Sequence, residues 1–379
     1  KMKPSFCVLI FFIVLGLAAG FLAPMAPRLS LTSSGLRMAL SPPPSNLKPM
    51  KVGIVGKGAV GVEVIGVLKN RGFPVEELHV YARKSDELET EFGKYQIEPF
   101  DLEKARELDV IFLCVDGSFS KEWALKLAEG NGPIVVDNSS ALRYMDDIPL
   151  LVPEINAATA KGKKVIANPN CTTAIGLMAL APLHKKFGIK KCIMSTYQAA
   201  SGAGKEGMDE LATGVKDYVS GKEVKNEFFA HPLPFNVIPH IDVFQENMYT
   251  KEEMKVTWET QKILQDPNIA VSCTAVRIPT FRAHAEAITI ETEKPITAAE
   301  ARAILAETEG VELTDDPENK SYPMPLFATG KYDVQVGRIR NNAVFGDKGL
   351  DLFVCGDQLL RGAALNAVLC AEARLSMED

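Results

Sequence analysis

The sequence predicts an α/β protein with two domains. The chain has 379 residues, and the part after residue 49 is too long for one typical hydrophobic core. A short apolar strand at 51–55 leads into a glycine-rich loop and a helix-periodic segment. Further apolar strands at 78–82, 110–114 and 133–137 alternate with helical segments. This alternation is typical of a parallel sheet covered by helices.

An apolar segment followed by a basic one predicts a targeting presequence over residues 1–49. Residues 6–19 are apolar apart from one glycine and suit the hydrophobic region of a signal peptide. From Phe21 onward the presequence is rich in Ser, Pro and Leu and contains no acidic residue. This order resembles the bipartite presequences of red-lineage plastids and predicts import into the plastid stroma. A secretory signal and an N-terminal anchor are the alternatives.

The charge of the remaining chain argues against nucleic acid and anionic membranes as main partners. The chain has 42 basic and 48 acidic side chains, and five of the basic ones lie in residues 1–49. The part after residue 49 therefore has 37 basic and 48 acidic side chains, a formal charge of −11. A phosphate-bearing small molecule needs only a local basic pocket and remains compatible with this charge.

The glycine-rich loop predicts a dinucleotide-binding domain of the Rossmann type. Its sequence is Gly56-Lys57-Gly58-Ala59-Val60-Gly61. The first glycine permits a tight turn, the second lets a pyrophosphate approach the backbone, and the third lets helix and strand pack closely. The anion would then rest on the helix N-terminus. A flavodoxin-like phosphate site, or a Rossmann-shaped protein without a cofactor, is the alternative.

The residues after the second predicted strand favour NADP over NAD. An Asp or Glu would bind the ribose 2′-OH of NAD, but Arg83, Lys84 and Ser85 stand there instead. Cationic and hydroxyl groups suit a 2′-phosphate. Asp86 and Glu87 follow closely and would form either a solvated loop or a ligand of the ribose hydroxyl.

Cys171 lies in the segment Ala-Asn-Pro-Asn-Cys-Thr-Thr-Ala-Ile at 167–175. A Pro-Asn turn precedes it and an apolar-periodic helix follows, so the sulfur is predicted at a helix N-terminus, where a thiolate is favoured. Such a thiolate can form a covalent acyl intermediate. The alternative is a small buried hydrophobic residue. The seven cysteines show no CxxC or metal-like spacing, which predicts a reducing compartment and no metal site.

Three further segments contain candidate site residues. His284 precedes the strand-like segment 287–290 and could accept the thiol proton and later return it, unless it is a strand histidine bonded to the backbone. Arg277 lies in an apolar strand and needs an anion, for which a carboxylate or a structural salt bridge would serve. A capping box beginning at Thr250 places Glu252 and Lys255 on one helix face, as substrate ligands or as an exposed ion pair.

Several motifs, in order along the chain, resemble those of the aspartate-semialdehyde dehydrogenase family. Besides the glycine loop and the segment around Cys171, they lie at 137–143, 151–156, 195–204, 236–242, 276–279 and 356–364. The 195–204 motif reads Ser-Thr-Tyr-Gln-Ala-Ala-Ser-Gly-Ala-Gly, and the 356–364 motif reads Gly-Asp-Gln-Leu-Leu-Arg-Gly-Ala-Ala. The resemblance covers essentially everything after residue 49.

The resemblance implies NADPH-dependent reduction of L-4-aspartyl phosphate to L-aspartate 4-semialdehyde with release of phosphate, a step of lysine, threonine and methionine biosynthesis. Cys171 would be the nucleophile and His284 the acid–base, with Gln198 against the substrate near the thiol. The implied substrate residues are Arg143, Asn170, Glu252, Lys255 and Arg277, of which Glu252 would bind the α-ammonium and Arg143 and Lys255 the phosphate. Ser201, Gly202 and Gln358 would complete the cofactor site.

The predicted domains are a Rossmann domain over 50–170, an α+β catalytic and dimerisation domain over 171–349, and a C-terminal helix over 350–379 that returns to the first domain. By resemblance, the second domain carries the interface of a homodimer or tetramer. The glycine loop is one residue shorter than the form common in the family. Asp116 follows the third predicted strand, where many relatives have small residues. The shorter loop affects the contact with the pyrophosphate, and Asp116 affects cofactor preference.

Two other functions fit parts of the pattern. A reductase of N-acetylglutamyl phosphate or glyceraldehyde phosphate would share a nucleophilic cysteine after a Rossmann half. Glu252 separates these from the first function, because neither of their substrates offers it a cation. A non-enzymatic Rossmann protein, acting as a redox sensor or assembly subunit, would leave Cys171, His284 and Arg277 without a role.

Overall fold

The computed structural model describes residues 40–377. Most of the predicted presequence, including its apolar segment, lies outside the described residues. Two β-sheets organise the described part, and the predicted α/β class with a Rossmann-type first domain is confirmed. The helices between residues 40 and 377 lack the combination of length and apolarity needed to cross a bilayer.

The first sheet is a doubly wound, mostly parallel sheet. Its strands are β1 Met50–Val55, β2 Val75–Ala82, β3 Asp86–Thr90, β4 Gly93–Pro99, β5 Val110–Leu113, β6 Ile134–Asp137 and β7 Val165–Ala167. Their spatial order is β3-β4-β2-β1-β5-β6-β7, and only β3 and β4 pair in antiparallel fashion. The central strands are continuous apolar runs because both faces of the sheet are covered. The helices of this domain are α1 Ala59–Arg71, α2 Leu102–Arg106, α3 Gly117–Ala128 and α4 Pro153–Asn156.

The hairpin of β3 and β4 at the edge of the first sheet was not predicted. The strands expected as third and fourth are therefore β5 and β6. β3 reads Asp-Glu-Leu-Glu-Thr and is largely exposed, so it lacks the apolar residues from which strands are recognised. Asp86, considered above as a loop residue or a ribose ligand, is the first residue of this strand.

The second sheet has six strands and mixed directions. They are β8 Ile189–Gln198, β9 Ala270–Arg277, β10 His284–Thr292, β11 Val311–Leu313, β12 Val334–Asn341 and β13 Gly349–Gly356, in the spatial order β11-β12-β13-β10-β8-β9. The helices of this part are α5 Cys171–Phe187, α6 Gly204–Val219, α7 Lys251–Leu264, α8 Ala298–Ala306 and α9 Pro325–Ala328. α5 is apolar on nearly all sides because it packs between this sheet and the neighbouring helices.

The second domain extends further along the chain than predicted. β13 pairs with β10 and β12, so the predicted boundary at residue 349 is wrong by one strand. The chain then passes through a π-helical turn, Leu360–Ala364, into α10, Leu365–Leu375. α10 packs against α1 and β6 of the first domain.

Residues 40 and 41 belong to the folded part of the chain. Leu40 is 5% exposed and packs in the core of the first domain. The Ser41 N–H donates to Glu309 Oε1 at 2.7 Å, and the Ser41 carbonyl accepts from Arg71 Nη2 at 3.0 Å. The predicted end of the presequence at residue 49 therefore lies inside the folded part of the chain. The partners of Leu40 and Ser41 are distant in sequence, which is why composition alone gave the wrong boundary.

Candidate active site

A cavity of about 550 Å³ lies where the carboxyl ends of the first-sheet strands meet the second sheet. This is the position at which open α/β sheets bind ligands. The predicted site residues that line it are Gly58, Ala59, Val60, Arg143, Asn170, Cys171, Gln198, Ser201, Gly202, Glu252, Lys255, Arg277 and Gln358. His284 lies beneath this lining, and Lys57, Arg83, Lys84 and Ser85 lie outside it.

Cys171 is the first residue of α5, so its predicted position at a helix N-terminus is confirmed. Asn170 caps the helix, and its side-chain oxygen accepts from the N–H groups of Thr172 at 3.0 Å and Thr173 at 3.2 Å. This cap fixes the direction of the first turn. The half-buried sulfur therefore faces the cavity from a rigid position.

The expected low pKa of the Cys171 thiol is wrong for the described arrangement. Burial and the nearby Glu252 carboxylate raise this pKa to about 12, while Arg143, the Thr172 side chain and Arg277 favour the thiolate less strongly. Removal from water and a neighbouring anion both penalise a negative sulfur, and here they exceed the effect of the helix N-terminus. The thiol is therefore protonated at neutral pH until the charge around it changes.

His284 is fully buried at the start of β10 and is uncharged. Burial and the positive charge of Arg277 lower its pKa to about 3. Its Nδ1 accepts the Ala199 N–H at 3.0 Å, so a neutral ring carries its hydrogen on Nε2. Nε2 lies toward Gly202, where an added Cβ would stand 3.2 Å from it. In this tautomer His284 is a donor toward the site, and the predicted role as acceptor of the thiol proton does not fit it.

The residue before His284 has an unusual backbone. Ala283 adopts a φ of 67°, a conformation that residues with a Cβ rarely take. Its N–H donates to Gln358 Oε1 at 2.8 Å, and Gln358 Nε2 donates to Ser201 Oγ. Gln358 and Ser201 were predicted as cofactor residues, and in this structure they also hold the turn that presents His284.

Glu252 is an ionised carboxylate at the centre of a hydrogen-bond cluster. Its Oε1 accepts from Asn170 Nδ2 at 2.9 Å and Gln198 Nε2 at 3.1 Å, and its Oε2 accepts from Lys255 Nζ at 2.9 Å. Burial opposes this charge, but Lys255 and the hydrogen bonds lower the Glu252 pKa to about 2. The capping box formed by Thr250 and Glu253 begins α7 and places Glu252 and Lys255 in the cavity.

Two acidic partners of the predicted cations were missed. Arg143 is buried, and its Nη1 donates to Glu259 Oε1 at 3.0 Å. Glu259 also accepts the Asn170 N–H at 2.6 Å, and Asp242 accepts from Lys255 at 2.8 Å. The position of Glu259 was a usable signal, because a residue seven positions after Glu252 lies on the same helix face.

Arg277 differs from the other cations of the site. It is 6% exposed, and its Nη1 donates to the Ala199 carbonyl at 2.6 Å. No carboxylate among residues 40–377 lies within ion-pairing distance of it, and burial lowers its pKa. A buried guanidinium without an anion is costly, so this position is poised to receive one.

The nucleotide end of the cavity is formed mainly by backbone. Gly56 adopts a φ of 110°, and α1 begins without a side-chain cap, which leaves its first N–H groups available. A Cβ at Gly61 would overlap the Gly56 carbonyl oxygen, whereas a Cβ at Gly58 would meet nothing within 4 Å. The close packing and the open space both fit a dinucleotide pyrophosphate.

Asp86 and Asp116, the two acids that could favour NAD, have other partners in the structure. Asp86 pairs with Lys57 of the glycine loop. Asp116 caps α3 and accepts from the Ser118 N–H at 3.0 Å. Arg83 and Lys84 are in the loop between β2 and β3 and have no ion-pair partner within the described part of the chain. Within residues 40–377, no group of His, Cys, Asp and Glu side chains has an arrangement suited to a metal ion.

Known proteins share this fold and much of this sequence. The description "Semialdehyde dehydrogenase, NAD binding domain" matches residues 51–163, and "Semialdehyde dehydrogenase, dimerisation domain" matches residues 180–361. An aspartate-semialdehyde dehydrogenase of Aquifex aeolicus is 46% identical over 331 residues, which cover 85% of this chain and 97% of that protein. The Campylobacter jejuni enzyme is 44% identical over 343 residues, covering 88% and 99%.

A solved structure agrees with these matches. The crystal structure of aspartate semialdehyde dehydrogenase II complexed with ASA from Vibrio cholerae has a TM-score of 0.81 and 39% identity, and the alignment covers 86% of this chain and 98% of that one. The relatives are matched over nearly their whole length, through both sheets and the cavity between them. On this sequence and structural similarity, the chain belongs to the aspartate-semialdehyde dehydrogenase family.

Proposed function

We propose that the protein catalyses the NADPH-dependent reductive dephosphorylation of L-4-aspartyl phosphate to L-aspartate 4-semialdehyde through a thioacyl intermediate on Cys171. The observation that carries this proposal is the buried Arg277 without a carboxylate, next to a thiol at a helix N-terminus. An aspartyl substrate supplies the missing α-carboxylate. The Vibrio cholerae relative was crystallised with ASA, which supports a substrate of this class.

The charges around Arg277 match the rest of the substrate. Glu252 is ionised and suits the α-ammonium group. Arg143 lines the cavity, and its Nε has no partner among the described protein atoms, so it can bind a phosphate oxygen while Nη1 remains on Glu259. Lys255 would provide the second cation by turning from Asp242 toward the phosphate.

Substrate binding itself would activate the thiol. Glu252 is the charged group that most raises the Cys171 pKa. A bound ammonium offsets that carboxylate, and a carboxylate on Arg277 leaves Arg143 beside the sulfur, so the thiol proton is released to solvent through the open cavity. The thiolate attacks the acyl carbon, the bond to the phosphate oxygen breaks, and phosphate leaves toward Arg143.

The thioester would then be reduced in the same place. Bound NADPH would supply the hydride that converts the thioester to the aldehyde and regenerates the thiolate. As the carbonyl oxygen gains charge, His284 Nε2–H is the donor that stabilises it. The uncapped start of α1 and the open space at Gly58 would hold the pyrophosphate.

A single assay tests the reaction against its alternatives. The purified protein should reduce NADP with L-aspartate 4-semialdehyde over many turnovers only when inorganic phosphate is present, because phosphate is needed to release the acyl group from Cys171. N-Acetylglutamate semialdehyde and glyceraldehyde phosphate should be poor substrates, because neither places a cation at Glu252. Equal turnover of either one, or no phosphate-dependent reduction at all, would contradict the proposal. The activity assigns the chain a step of lysine, threonine and methionine biosynthesis.

A preference for NADP is part of the proposal. Arg83 and Lys84 lie at the end of β2 and form no ion pair within residues 40–377, and the two acids that complicate the preference, Asp86 and Asp116, bond to Lys57 and cap α3. A 2′-phosphate therefore meets positive charge there. The ratio of kcat/KM for NADP to that for NAD measures this preference.

We also infer a homodimer formed through the second sheet. Residues of β8 alternate between its two faces, and Ile193 on the face away from α5 is 49% exposed. Tyr197 and Phe353 lie on the same face in a tilted ring contact with centroids 6.2 Å apart. The family description that matches this domain is a dimerisation domain.

Sedimentation of Ile193→Asp against the unmodified protein tests the interface, and an unchanged oligomer would exclude it. Association of dimers into tetramers would appear in the same measurement.

Import into the plastid stroma stays a proposal that rests on residues 1–39. Leu40 is buried in the folded part of the chain, and Ser41 forms hydrogen bonds to it. Cleavage would therefore occur before Leu40. Fusing residues 1–39 to a fluorescent protein in a cell with a complex plastid should deliver the fusion to the stroma, and Phe21→Ala should stop it before the inner envelopes. Secretion of the unmodified fusion would contradict this localisation.

A further inference from the structure

Glu286 is a buried carboxyl that the proposed reaction does not use. It lies two residues after His284 on β10, so both side chains are on the same face of the sheet. It is 0% exposed, and neither of its oxygens has a hydrogen-bond partner among the described protein atoms. Burial alone raises its pKa well above the ordinary value, so the group is neutral and has one O–H to donate.

The surroundings of Glu286 contain no charged partner. Thr196 of β8 and Val354 of β13 are its neighbours in the sheet, and the titratable groups on which its charge would act are the thiols of Cys192, Cys273 and Cys355. Burial raises the pKa of each of these thiols, so they are neutral as well. A buried donor without an acceptor is costly, which points to an additional hydrogen-bonding partner.

The carboxyl points at the helix that begins with Cys171. A Cβ added at Gly176 of α5 would stand 2.5 Å from Glu286 Oε2, so a larger residue there would displace this oxygen. Thr172 is one helical turn earlier on the same face, with its Cβ about 5–6 Å from that of residue 176. Its hydroxyl is fully buried and also lacks a partner among the described atoms. A single buried water that accepts from the carboxyl and donates to the hydroxyl would give both groups a partner.

The Thr172 side chain favours the thiolate of the reacting sulfur, although its hydroxyl has no aligned hydrogen bond to that sulfur in this structure. Arg143 and Arg277 also favour the Cys171 thiolate, whereas the Glu252 carboxylate disfavours it. A threonine hydroxyl has a single hydrogen. If a hydrogen-bond donor on the side away from Cys171 binds a lone pair of the Thr172 hydroxyl oxygen, the hydroxyl hydrogen is directed to the sulfur.

We propose that Glu286 is a positioning residue, which acts through one buried water on the Thr172 hydroxyl and directs its hydrogen to the Cys171 sulfur. The proposal deepens the proposed function and rests on it, because only there is Cys171 the nucleophile. No proton is transferred along this chain. The neutral carboxyl donates to the water, the water donates to the Thr172 oxygen, and the hydroxyl donates to the thiolate.

The test measures the thiol directly rather than turnover. Glu286→Met removes the donor at similar volume, Glu286→Gln keeps a neutral donor, and Thr172→Val removes the hydroxyl. The readout is the rate of Cys171 alkylation by iodoacetamide at pH 8, followed by peptide mass spectrometry. Glu286→Met and Thr172→Val should each slow alkylation about tenfold, since one lost hydrogen bond to a charged sulfur corresponds to about one pKa unit. Glu286→Gln should stay within about twofold of the unmodified protein.

Three controls make the result specific. Thr173→Val changes the neighbouring buried hydroxyl and should leave the alkylation rate unchanged. The double variant Glu286→Met with Thr172→Val should be no slower than either single variant, because both remove the same hydrogen bond. The unmodified protein should show the infrared band of a protonated carboxylic acid at neutral pH, and Glu286→Gln should lack this band.

An unchanged alkylation rate in Glu286→Met, or additive effects in the double variant, would overturn the proposal. If Glu286→Met does not fold, Thr172→Val and the infrared band still decide it. Failure of the proposed function would give a different result. Cys171→Ala would then retain turnover, while the alkylation rates of the Glu286 and Thr172 variants would still change as expected.

Discussion

The two ends of the cavity are built by different means. The nucleotide end uses backbone geometry, an uncapped helix and two unpaired cations on an exposed loop. The substrate end uses buried side chains, in which Glu252 and Glu259 together bind Arg143, Asn170 and Gln198 from distant segments of the chain. Changes at the first end should therefore alter cofactor affinity by modest factors, whereas changes at the second should alter the chemistry by large ones.

The largest effect is expected from Cys171→Ala. Loss of the covalent nucleophile should reduce kcat by several powers of ten and leave NADP binding intact, because the sulfur is at the substrate end. Cys171→Ser should retain only a trace of activity. Steady-state kinetics together with NADP titration by fluorescence measure both properties. More than about a tenth of the original kcat in Cys171→Ala would contradict the nucleophile assignment.

His284→Ala should come next. Removing the Nε2–H donor should lower kcat by about a hundredfold or more and change the substrate dissociation constant little. Because the His284 pKa is about 3, the kcat profile of the unmodified enzyme should show no limb from this ring between pH 6 and 8. A limb in that range that disappears in His284→Ala would show that the ring is charged during turnover.

Arg277→Lys should have a smaller effect, concentrated in substrate use. An ammonium cannot reproduce the two parallel hydrogen bonds of a guanidinium to a carboxylate, so kcat/KM should fall by about tenfold or more. Arg338→Lys is a matched control, since Arg338 is on the second sheet outside the cavity lining. A kcat/KM of Arg277→Lys within about twofold of the unmodified enzyme would show that no carboxylate binds there.

The smallest effect is expected at the nucleotide end. Removing both cations, with Arg83→Ala and Lys84→Ala together, should raise the KM for NADP by about tenfold and barely change that for NAD. Lys94→Ala, which removes an exposed lysine on β4, next to the edge strand β3, is the control for a general loss of positive charge. Equal use of both cofactors by the unmodified enzyme would mean that Asp86 or Asp116 binds the ribose.

The sequence allowed the nucleotide end to be predicted more completely than the substrate end. The turn at Gly56 and the start of α1 are local, so six consecutive residues contain the whole signal. The thiol pKa depends instead on Glu252, which is 81 positions away in the chain and whose charge depends on Lys255, Asn170 and Gln198. Burial and side-chain pairing of this kind follow from tertiary packing, which no local pattern specifies.

Two errors in the sequence analysis have the same origin. The edge strand β3 was missed because it is polar, although pairing with β4 fixes it in the sheet. Residues 40–49 were assigned to the presequence because they contain no acidic residue. Leu40 is nevertheless fixed by packing in the core of the first domain, and Ser41 by hydrogen bonds to Arg71 and Glu309, which are 30 and 268 positions away. In both cases distant partners, rather than composition, determine the structure.

The central claim is that Cys171 carries the substrate as a thioester. The most direct measurement is rapid-quench mass spectrometry of the enzyme mixed with NADP and L-aspartate 4-semialdehyde in the absence of phosphate. The account predicts one aspartyl group on the peptide that contains Cys171, formed with one equivalent of NADPH and removed when phosphate is added. An unmodified Cys171 peptide alongside a full equivalent of NADPH, or an aspartyl group on a different residue, would contradict it.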